Sequence, residues 1–266
     1  MNASTRIAAA TPAVEAFRTV RARTISLAAP LSPEDCQAQS MPDASPAKWH
    51  LAHTSWFFDR LILRDGLGQA EIDPAYDRLF NSYYDSVGVR VERPERGLMT
   101  RPALAEVLEY RARVDAAMTA ALADGSLEAA GLVEVFELGL NHEQQHQELM
   151  LMDVLHLLSR SPLAPVYDAA MAQPAAAGAG EAVAVAGGAV RVGWDGHGFA
   201  FDNETPAHVE QVPDFRLARA LTTNADWVAF IDDGGYRRPE LWLSDGWEAV
   251  LALGWTAPLY WRRAPD

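Results

Sequence analysis

The chain has 266 residues, and because 49% of them are hydrophobic it can bury a sizeable core, which excludes wholesale disorder. Its formal net charge of −14 argues against non-specific binding to nucleic acid or to an anionic membrane surface. Its single cysteine, Cys36, excludes an intrachain disulfide. Residues 1–11 lack a signal pattern and no apolar run is long enough to span a bilayer, so we expect a cytoplasmic protein.

The first two thirds of the chain contain four stretches with helical periodicity. They begin at Thr11-Pro12, at about Pro46, at Thr100-Arg101-Pro102 and at about Glu128. They end before Pro30, at about Arg64, at about Asp124-Gly125 and at about Arg160. Ser45 is the expected N-cap of the second helix, and Gly139 marks a place where the fourth could be interrupted. Four long helices of this kind predict a four-helix bundle.

A long connection, residues 66–99, separates the second predicted helix from the third. Its aromatic residues argue against disorder, and connections of this length are often functional. It carries Arg90, Arg93 and Arg96, which could bind a substrate carboxylate through paired hydrogen bonds. On the sequence alone, a solvated loop face is the preferred interpretation of these arginines.

Beyond the bundle, residues 168–188 are rich in Ala, Gly and Pro, which predicts a linker. Alternating patterns then predict short strands at residues 189–192, 208–212 and 215–218. Thr223 is expected to cap a short helix that ends before Gly234-Gly235, and a loop-rich tail with four tryptophans follows. The second half therefore predicts an α+β domain.

The fourth predicted helix carries His142 and His146, four positions apart and thus on one helical face. Both imidazoles could reach a single metal ion. Glu148 lies about 200° around the helix from His146 and points away, and Glu143 lies about 100° from His142, at the edge of that face. A third ligand must therefore come from another part of the chain.

The second predicted helix offers two candidates for the third ligand, His50 and His53. His53 shares its face with Trp49, Trp56 and Phe57, which indicates an inward-facing position, whereas His50 could lie at the helix margin. We prefer His53. Three neutral imidazoles suit iron, zinc or nickel and leave coordination positions open for water or substrate, and the spacing does not choose among these metals.

Five motifs together resemble the iron(II)-dependent sulfoxide synthases of ergothioneine biosynthesis. They are Lys48-Trp49-His50-Leu51-Ala52-His53-Thr54, Phe80-Asn81-Ser82-Tyr83-Tyr84, the run from His142 to Glu148, Phe201-Asp202-Asn203-Glu204-Thr205-Pro206, and the run from Asp233 to Trp242. The family joins a DinB-like four-helix bundle to a sulfatase-modifying-factor domain with a C-type-lectin-like fold. The resemblance covers most of the chain, and any one motif alone would be weak.

The resemblance implies a role for particular positions. His53, His142 and His146 are similar to the three histidines that hold iron(II). Gln145 resembles the residue that helps to seat the substrate hercynine, a histidine betaine, and Arg93 and Arg96 resemble the pair that binds the carboxylates of the thiol substrate. The implied reaction uses O2 to join γ-glutamylcysteine or cysteine to hercynine as a sulfoxide.

The resemblance also implies a division of the chain into a DinB-like bundle at residues 1–167, a linker at 168–188 and the first part of the second domain at 189–266. The family's second domain is longer, so we expect a truncated domain here. The family's catalytic tyrosine then lies outside this chain, no catalytic residue is assigned, and the chain could be inactive by itself. A DinB-like metal-dependent thiol transferase and a non-catalytic metal-binding fragment are the alternatives.

Overall fold

A computed structural model of the chain describes residues 3–82, 88–170 and 181–262, with side chains from residue 12 onward. The chain forms two compact units, Met1–Ala170 and Met171–Asp266. The limits of 167 and 188 that we expect for bundle and linker remain predictions.

The first unit is helical. Its long helices are α1 (Ala3–Ala28), α3 (Ala47–Phe57), α5 (Leu104–Ala123) and α7 (Val133–Ser159), and its short ones are α2 (Pro33–Gln37), α4 (Ala75–Phe80) and α6 (Ser126–Ala129). Helix α3 continues as a π-helical segment, Phe58–Arg64, and a 3-10 segment, Arg93–Leu98, lies in the connection before α5. Short helical segments thus occupy part of the connection between residues 66 and 99.

The four long helices form the predicted bundle, because α5 and α7 each pack against both α1 and α3. The core between them is apolar and rich in aromatic rings. Its largest buried members are Phe17, Trp49, Leu51, Trp56, Phe57, Phe58, Ile62, Leu63, Tyr110 and Met118. Helix α3 contributes three of these six aromatic rings, and every residue of this helix is buried.

The predicted helix starts differ in detail from the structure, and the helix expected to begin at Thr100-Arg101-Pro102 begins at Leu104 with Ala103 as its N-cap. Helix α1 begins at Ala3, with Pro12 inside it, instead of beginning at Thr11-Pro12. Ser45 does not cap α3, whose N-cap position is Pro46. The Ser45 hydroxyl instead accepts a hydrogen bond of 2.9 Å from Arg96, which is 51 positions away in the sequence. Helix-capping rules consider only neighbouring residues and so do not predict this contact.

The break before the last long helix lies at Gly131 and not at Gly139. Gly131 has a φ of 73°, a left-handed conformation that glycine adopts without strain, and it separates α6 from α7. Helix α7 runs through Gly139, where an added Cβ would lie 2.6 Å from the Phe58 ring and 2.9 Å from the Phe57 ring. Gly139 therefore permits close packing of α7 on α3.

A buried ion cluster joins three of the bundle helices. Glu143 on α7 is fully buried and accepts hydrogen bonds from Arg21 on α1, at 3.0 Å, and from Arg111 on α5. Thr24 donates a further bond of 2.5 Å to the same carboxylate. Burial by itself raises the pKa of Glu143, but the two guanidinium groups outweigh it and lower that pKa to about 2.

The described part of the second unit contains two antiparallel strand pairs, two α-helices and the 3-10 segments Asp202–Glu204, Gly235–Arg237 and Pro239–Leu241. Strand β1 (Val183–Val185) pairs with β4 (Phe215–Leu217), and β2 (Gly188–Val192) pairs with β3 (His208–Val212). Helix α8 (Asn224–Asp232) and helix α9 (Ser244–Leu253) follow. The three predicted strands and the helix capped by Thr223, whose hydroxyl accepts from the amide of Asp226, are confirmed.

Two features of the second unit differ from the sequence prediction. The first strand, β1, lies inside the stretch predicted as linker, because two valines in this Ala-rich segment pair with β4. The tail predicted as loop contains α9, which ends at Gly254 with a φ of 63°. Its first residue, Ser244, and the glycine that follows its last residue are ordinary features of helix ends.

Among the described residues, no helix combines the length and the apolar character needed to cross a membrane.

Replacing Glu143 by Ala should lower the free energy of unfolding by about 3–5 kcal/mol, because it leaves the buried guanidinium groups of Arg21 and Arg111 without their shared carboxylate. Urea unfolding followed by circular dichroism measures the change. The matched control is Glu148→Ala on the exposed face of the same helix, which should stay within about 0.5 kcal/mol of the unmodified protein. Equal effects of the two replacements would contradict a stabilising role for the cluster.

Candidate metal centre

Three histidines converge where α3 packs against α7. His142 and His146 lie one turn apart on α7, and His53 on α3 faces them. One ring nitrogen from each of the three lies within 4.8 Å of the other two. The structure therefore brings the three predicted ligands together.

The closest approach within this cluster joins Nε2 of His53 and Nε2 of His142, which are 3.2 Å apart. Ring centroids are 4.7 Å apart for His53 and His146 and 4.6 Å apart for His142 and His146. Two imidazole nitrogens that bind one metal at about 2.1 Å each lie roughly 3 Å apart, so the observed separation suits joint ligation.

The ring of His53 is held by two stacked tryptophan rings and by a hydrogen bond at one edge. Its Nδ1 lies 2.5 Å from the carbonyl oxygen of Phe80, which only accepts, so Nδ1 carries the hydrogen and Nε2 is left unprotonated. Trp49 stacks on one face, with ring centroids 4.5 Å apart and planes 12° apart, and Trp56 is stacked at 5.7 Å. His53 is thus oriented to offer Nε2 to the cluster.

A fourth histidine lies beside this cluster. Nδ1 of His50 is 2.9 Å from Nδ1 of His146, and Nε2 of His50 is 3.1 Å from Oδ2 of Asp153. Both rings are buried. His50 is therefore not at the helix margin, and it contacts one of the predicted ligands.

The environment keeps the imidazoles neutral. Burial lowers the pKa of His53 and of His146 well below the ordinary histidine value, and in each case a neighbouring histidine lowers it further. Burial lowers the pKa of His142 to about 4. Metal ligation needs an unprotonated imidazole nitrogen, so all three rings are in the required state at neutral pH.

The donor set fits a transition metal. Three imidazoles suit iron, zinc or nickel, and three protein ligands leave positions for water or substrate. Nδ1 of His142 is buried and has no hydrogen-bond partner among the described residues. When Nε2 of His142 serves as a ligand, this Nδ1 carries the ring hydrogen. The residues present can therefore hold a metal ion, and its identity is a separate question.

The other predicted site residues lie in different environments. Gln145 is exposed on α7, next to His146. Arg93 is partly exposed and its guanidinium lies 3.4 Å from the backbone oxygen of Asp43. Arg96 is only 4% exposed and its guanidinium lies 3.5 Å from the centroid of the Trp49 ring. The binding roles expected for these three residues remain predictions.

Two neighbours of the site lie outside the converging set: Asp153, which was not predicted from the sequence, and His50, which was the alternative candidate for the third ligand. Asp153 lies seven positions after His146, two turns along the same face of α7, and that spacing is a signal that could have found it. His50 lies three positions before His53. The tyrosines of the predicted motif, Tyr83 and Tyr84, lie outside the described residues.

Two protein families match the chain, one in each of its two units. Residues 16–150 match the DinB superfamily, and residues 168–266 match the sulfatase-modifying factor enzyme 1-like domain. This order of domains is the one that the sequence predicted, so the predicted fold class is confirmed.

The similar proteins with assigned names are hercynine oxygenases. The chain is 40% identical over 246 residues to that of Mycobacterium tuberculosis, a match that covers 91% of this chain and 55% of the relative. It is 36% identical over 234 residues to that of Mycolicibacterium smegmatis, covering 86% and 51%. The chain is 35% identical over 239 residues to the hercynine oxygenase of Mycolicibacterium thermoresistibile, a match that covers 87% of this chain and 50% of the relative. The chain spans about half the length of these relatives.

Replacing His146 by Ala should abolish tight binding of iron(II) and leave the bundle folded, because two imidazoles remain where three converge. Metal analysis after anaerobic loading and desalting measures the iron content, and circular dichroism monitors the helices. The control is His156→Ala, further along α7, where Nδ1 contacts the Ser40 hydroxyl instead of the cluster. An iron content unchanged by the loss of His146 would rule out this set of ligands.

Proposed function

The chain belongs to the DinB superfamily, and from that membership together with its second domain we propose that it is an iron(II)-dependent sulfoxide synthase of ergothioneine biosynthesis. It would join a cysteine-type thiol, γ-glutamylcysteine or cysteine, to hercynine with O2 as oxidant. The convergence of His53, His142 and His146 is the observation that carries this proposal.

The reaction balances without an external reductant. The imidazole C–H bond of hercynine and the thiol S–H bond break, and a C–S bond forms. One oxygen atom of O2 enters the sulfoxide and the other leaves as water with the two hydrogens. The substrates thus supply all the electrons that O2 accepts.

The three imidazoles are the residues that would hold iron(II). Their unprotonated nitrogens are available at neutral pH, because burial disfavours the charged rings. Bound iron(II) would supply the redox chemistry that couples O2 to C–S bond formation and sulfur oxidation. The rings of Trp49 and Trp56 limit the access of water to the face of His53.

The two arginines are proposed to bind the carboxylates of the thiol substrate. Arg96 stacks on Trp49, and Trp49 stacks on His53, so this guanidinium lies one ring away from the metal ligands. It donates to the hydroxyls of Ser45 and Ser82 at 2.9 and 3.1 Å, which fix its orientation. Arg93 is more exposed and would meet a carboxylate from the solvent side.

Gln145 is proposed to help seat hercynine, since it is exposed beside His146 and can donate as well as accept hydrogen bonds. No residue of this chain is assigned the role of proton or electron donor. The proposal includes a cytoplasmic location, which the single cysteine supports.

The second domain favours this function over a DinB-like thiol transferase, because the bundle alone could support transferase chemistry. Incubation of the iron-loaded chain with hercynine, a thiol and O2, followed by mass spectrometry, tests the choice. We expect the sulfoxide with consumption of one O2 per product, and none from the His146→Ala variant. A thiol adduct formed equally well without O2 would favour the transferase, and no turnover by the iron-loaded chain would contradict the synthase proposal for this chain.

Replacing Arg93 by Ala should raise the KM for the thiol more than the KM for hercynine, because only the thiol would lose a charge-assisted hydrogen bond to its carboxylate. Steady-state kinetics with each substrate varied in turn measures both values. Arg101→Ala is the control, since Arg101 is exposed and its guanidinium contacts the adjacent backbone oxygen of Thr100. Equal changes in the two KM values would contradict the role assigned to Arg93.

A further inference from the structure

We propose that Asp153 and His50 act as a positioning pair for His146, fixing which of its ring nitrogens is offered to the metal. The inference rests on the metal-binding part of the proposed function and is independent of the substrates. It assigns a role to the buried ring of His50 and the part-buried carboxylate of Asp153, which lie against the cluster and do not belong to the set of three converging ligands.

The contacts form an unbranched line from a carboxylate to a ligand. Oδ2 of Asp153 lies 3.1 Å from Nε2 of His50, and Nδ1 of His50 lies 2.9 Å from Nδ1 of His146. The same Oδ2 accepts a bond of 2.8 Å from the backbone amide of Ser45, just before α3. The carboxylate of Asp153 is thus held by two hydrogen bonds, one from the Ser45 amide and one from the His50 ring.

The protonation of the two rings follows from the acceptor at one end. A carboxylate only accepts hydrogen bonds, so Nε2 of His50 carries a hydrogen. A neutral His50 then has an unprotonated Nδ1, which must accept from Nδ1 of His146. With its hydrogen on Nδ1, a neutral His146 has its lone pair on Nε2. The pair therefore selects Nε2 as the atom that faces the metal.

His146 depends on this pair because both rings are buried. His50 is 2% exposed and His146 is 7% exposed, so water does not readily replace a lost partner. In His53, the carbonyl oxygen of Phe80 is the acceptor that fixes the hydrogen on Nδ1. Two of the three ligands thus have a fixed acceptor for the ring nitrogen that faces away from the metal, as ligating histidines generally do. The charge of Asp153 also makes His50 a stronger acceptor.

A direct role of His50 as a metal ligand is the competing interpretation, since its Nδ1 is as close to His146 as a second ligand would be. The hydrogen-bond line argues against it. Nδ1 of His50 faces Nδ1 of His146, whereas the lone pair available to the shared metal is on Nε2. The two roles of His50, hydrogen-bond acceptor for His146 and metal ligand, are distinguished by replacements that keep an acceptor but cannot replace the imidazole as a ligand.

Two replacements of His50 test the proposal through metal affinity. Asn places an acceptor oxygen close to the position of Nδ1, whereas Leu fills the space without an acceptor. Anaerobic competition of iron(II) or cobalt(II) against a chromophoric chelator measures the affinity. We expect His50→Leu to weaken binding by about 10–100-fold and His50→Asn to restore it to nearly the original value. Equal losses in both variants, or no loss in His50→Leu, would overturn the proposal.

A measurement on the unmodified, metal-free protein keeps the test valid if a variant fails to fold. Long-range proton–nitrogen correlation spectra of the 15N-labelled chain report which ring nitrogen carries the hydrogen. We expect His146 to carry it on Nδ1 and His50 on Nε2, and the fixed form of His146 to be lost in Asp153→Ala. A hydrogen on Nε2 of His146 in the unmodified protein would overturn the proposal. Neither measurement uses hercynine or a thiol, so a failed turnover assay leaves this outcome unaffected.

Discussion

The contact between α3 and α7 brings three neutral imidazoles together, two of them buried and that of His142 partly exposed. Gly139 lets the two helices approach, because no Cβ stands between α7 and the rings of Phe57 and Phe58. The burial that results keeps the histidines uncharged. Packing and ligand chemistry therefore have a common origin, since the same close approach that forms the core also provides the unprotonated nitrogens.

Polar contacts next to the site fix the positions that packing alone would leave variable. Glu143, adjacent in sequence to His142, ties α7 to α1 and α5 through two guanidinium groups. Asp153, further along α7 on the face of His146, accepts a hydrogen bond from the backbone amide of Ser45 just before α3. Helix α7 thus carries two carboxylates near its ligands: the buried Glu143 stabilises the fold, and the part-buried Asp153, in the proposal above, orients a ligand.

The four helices and the ligand candidates on two of them could be predicted because each rests on local spacing. His142 and His146 are one helical turn apart, and His53 has aromatic neighbours at helical spacing. The partnership of His50 with Asp153 joins positions 103 apart, and no local pattern contains it. The predicted interruption at Gly139 is wrong for the same reason, because the rings of Phe57 and Phe58 that pack on this glycine belong to another part of the chain. Likewise, the valines of β1 become a strand only through pairing with β4.

The central claim is that one iron ion is held by His53, His142 and His146, and a crystal structure of the anaerobically iron-loaded chain tests it most directly. An anomalous difference map at the iron edge would give the position of the ion without assumptions about its ligands. The account predicts one peak, at about 2.1 Å from Nε2 of each of the three histidines. A peak that lies elsewhere, or that is shared with Nδ1 of His50, would contradict it.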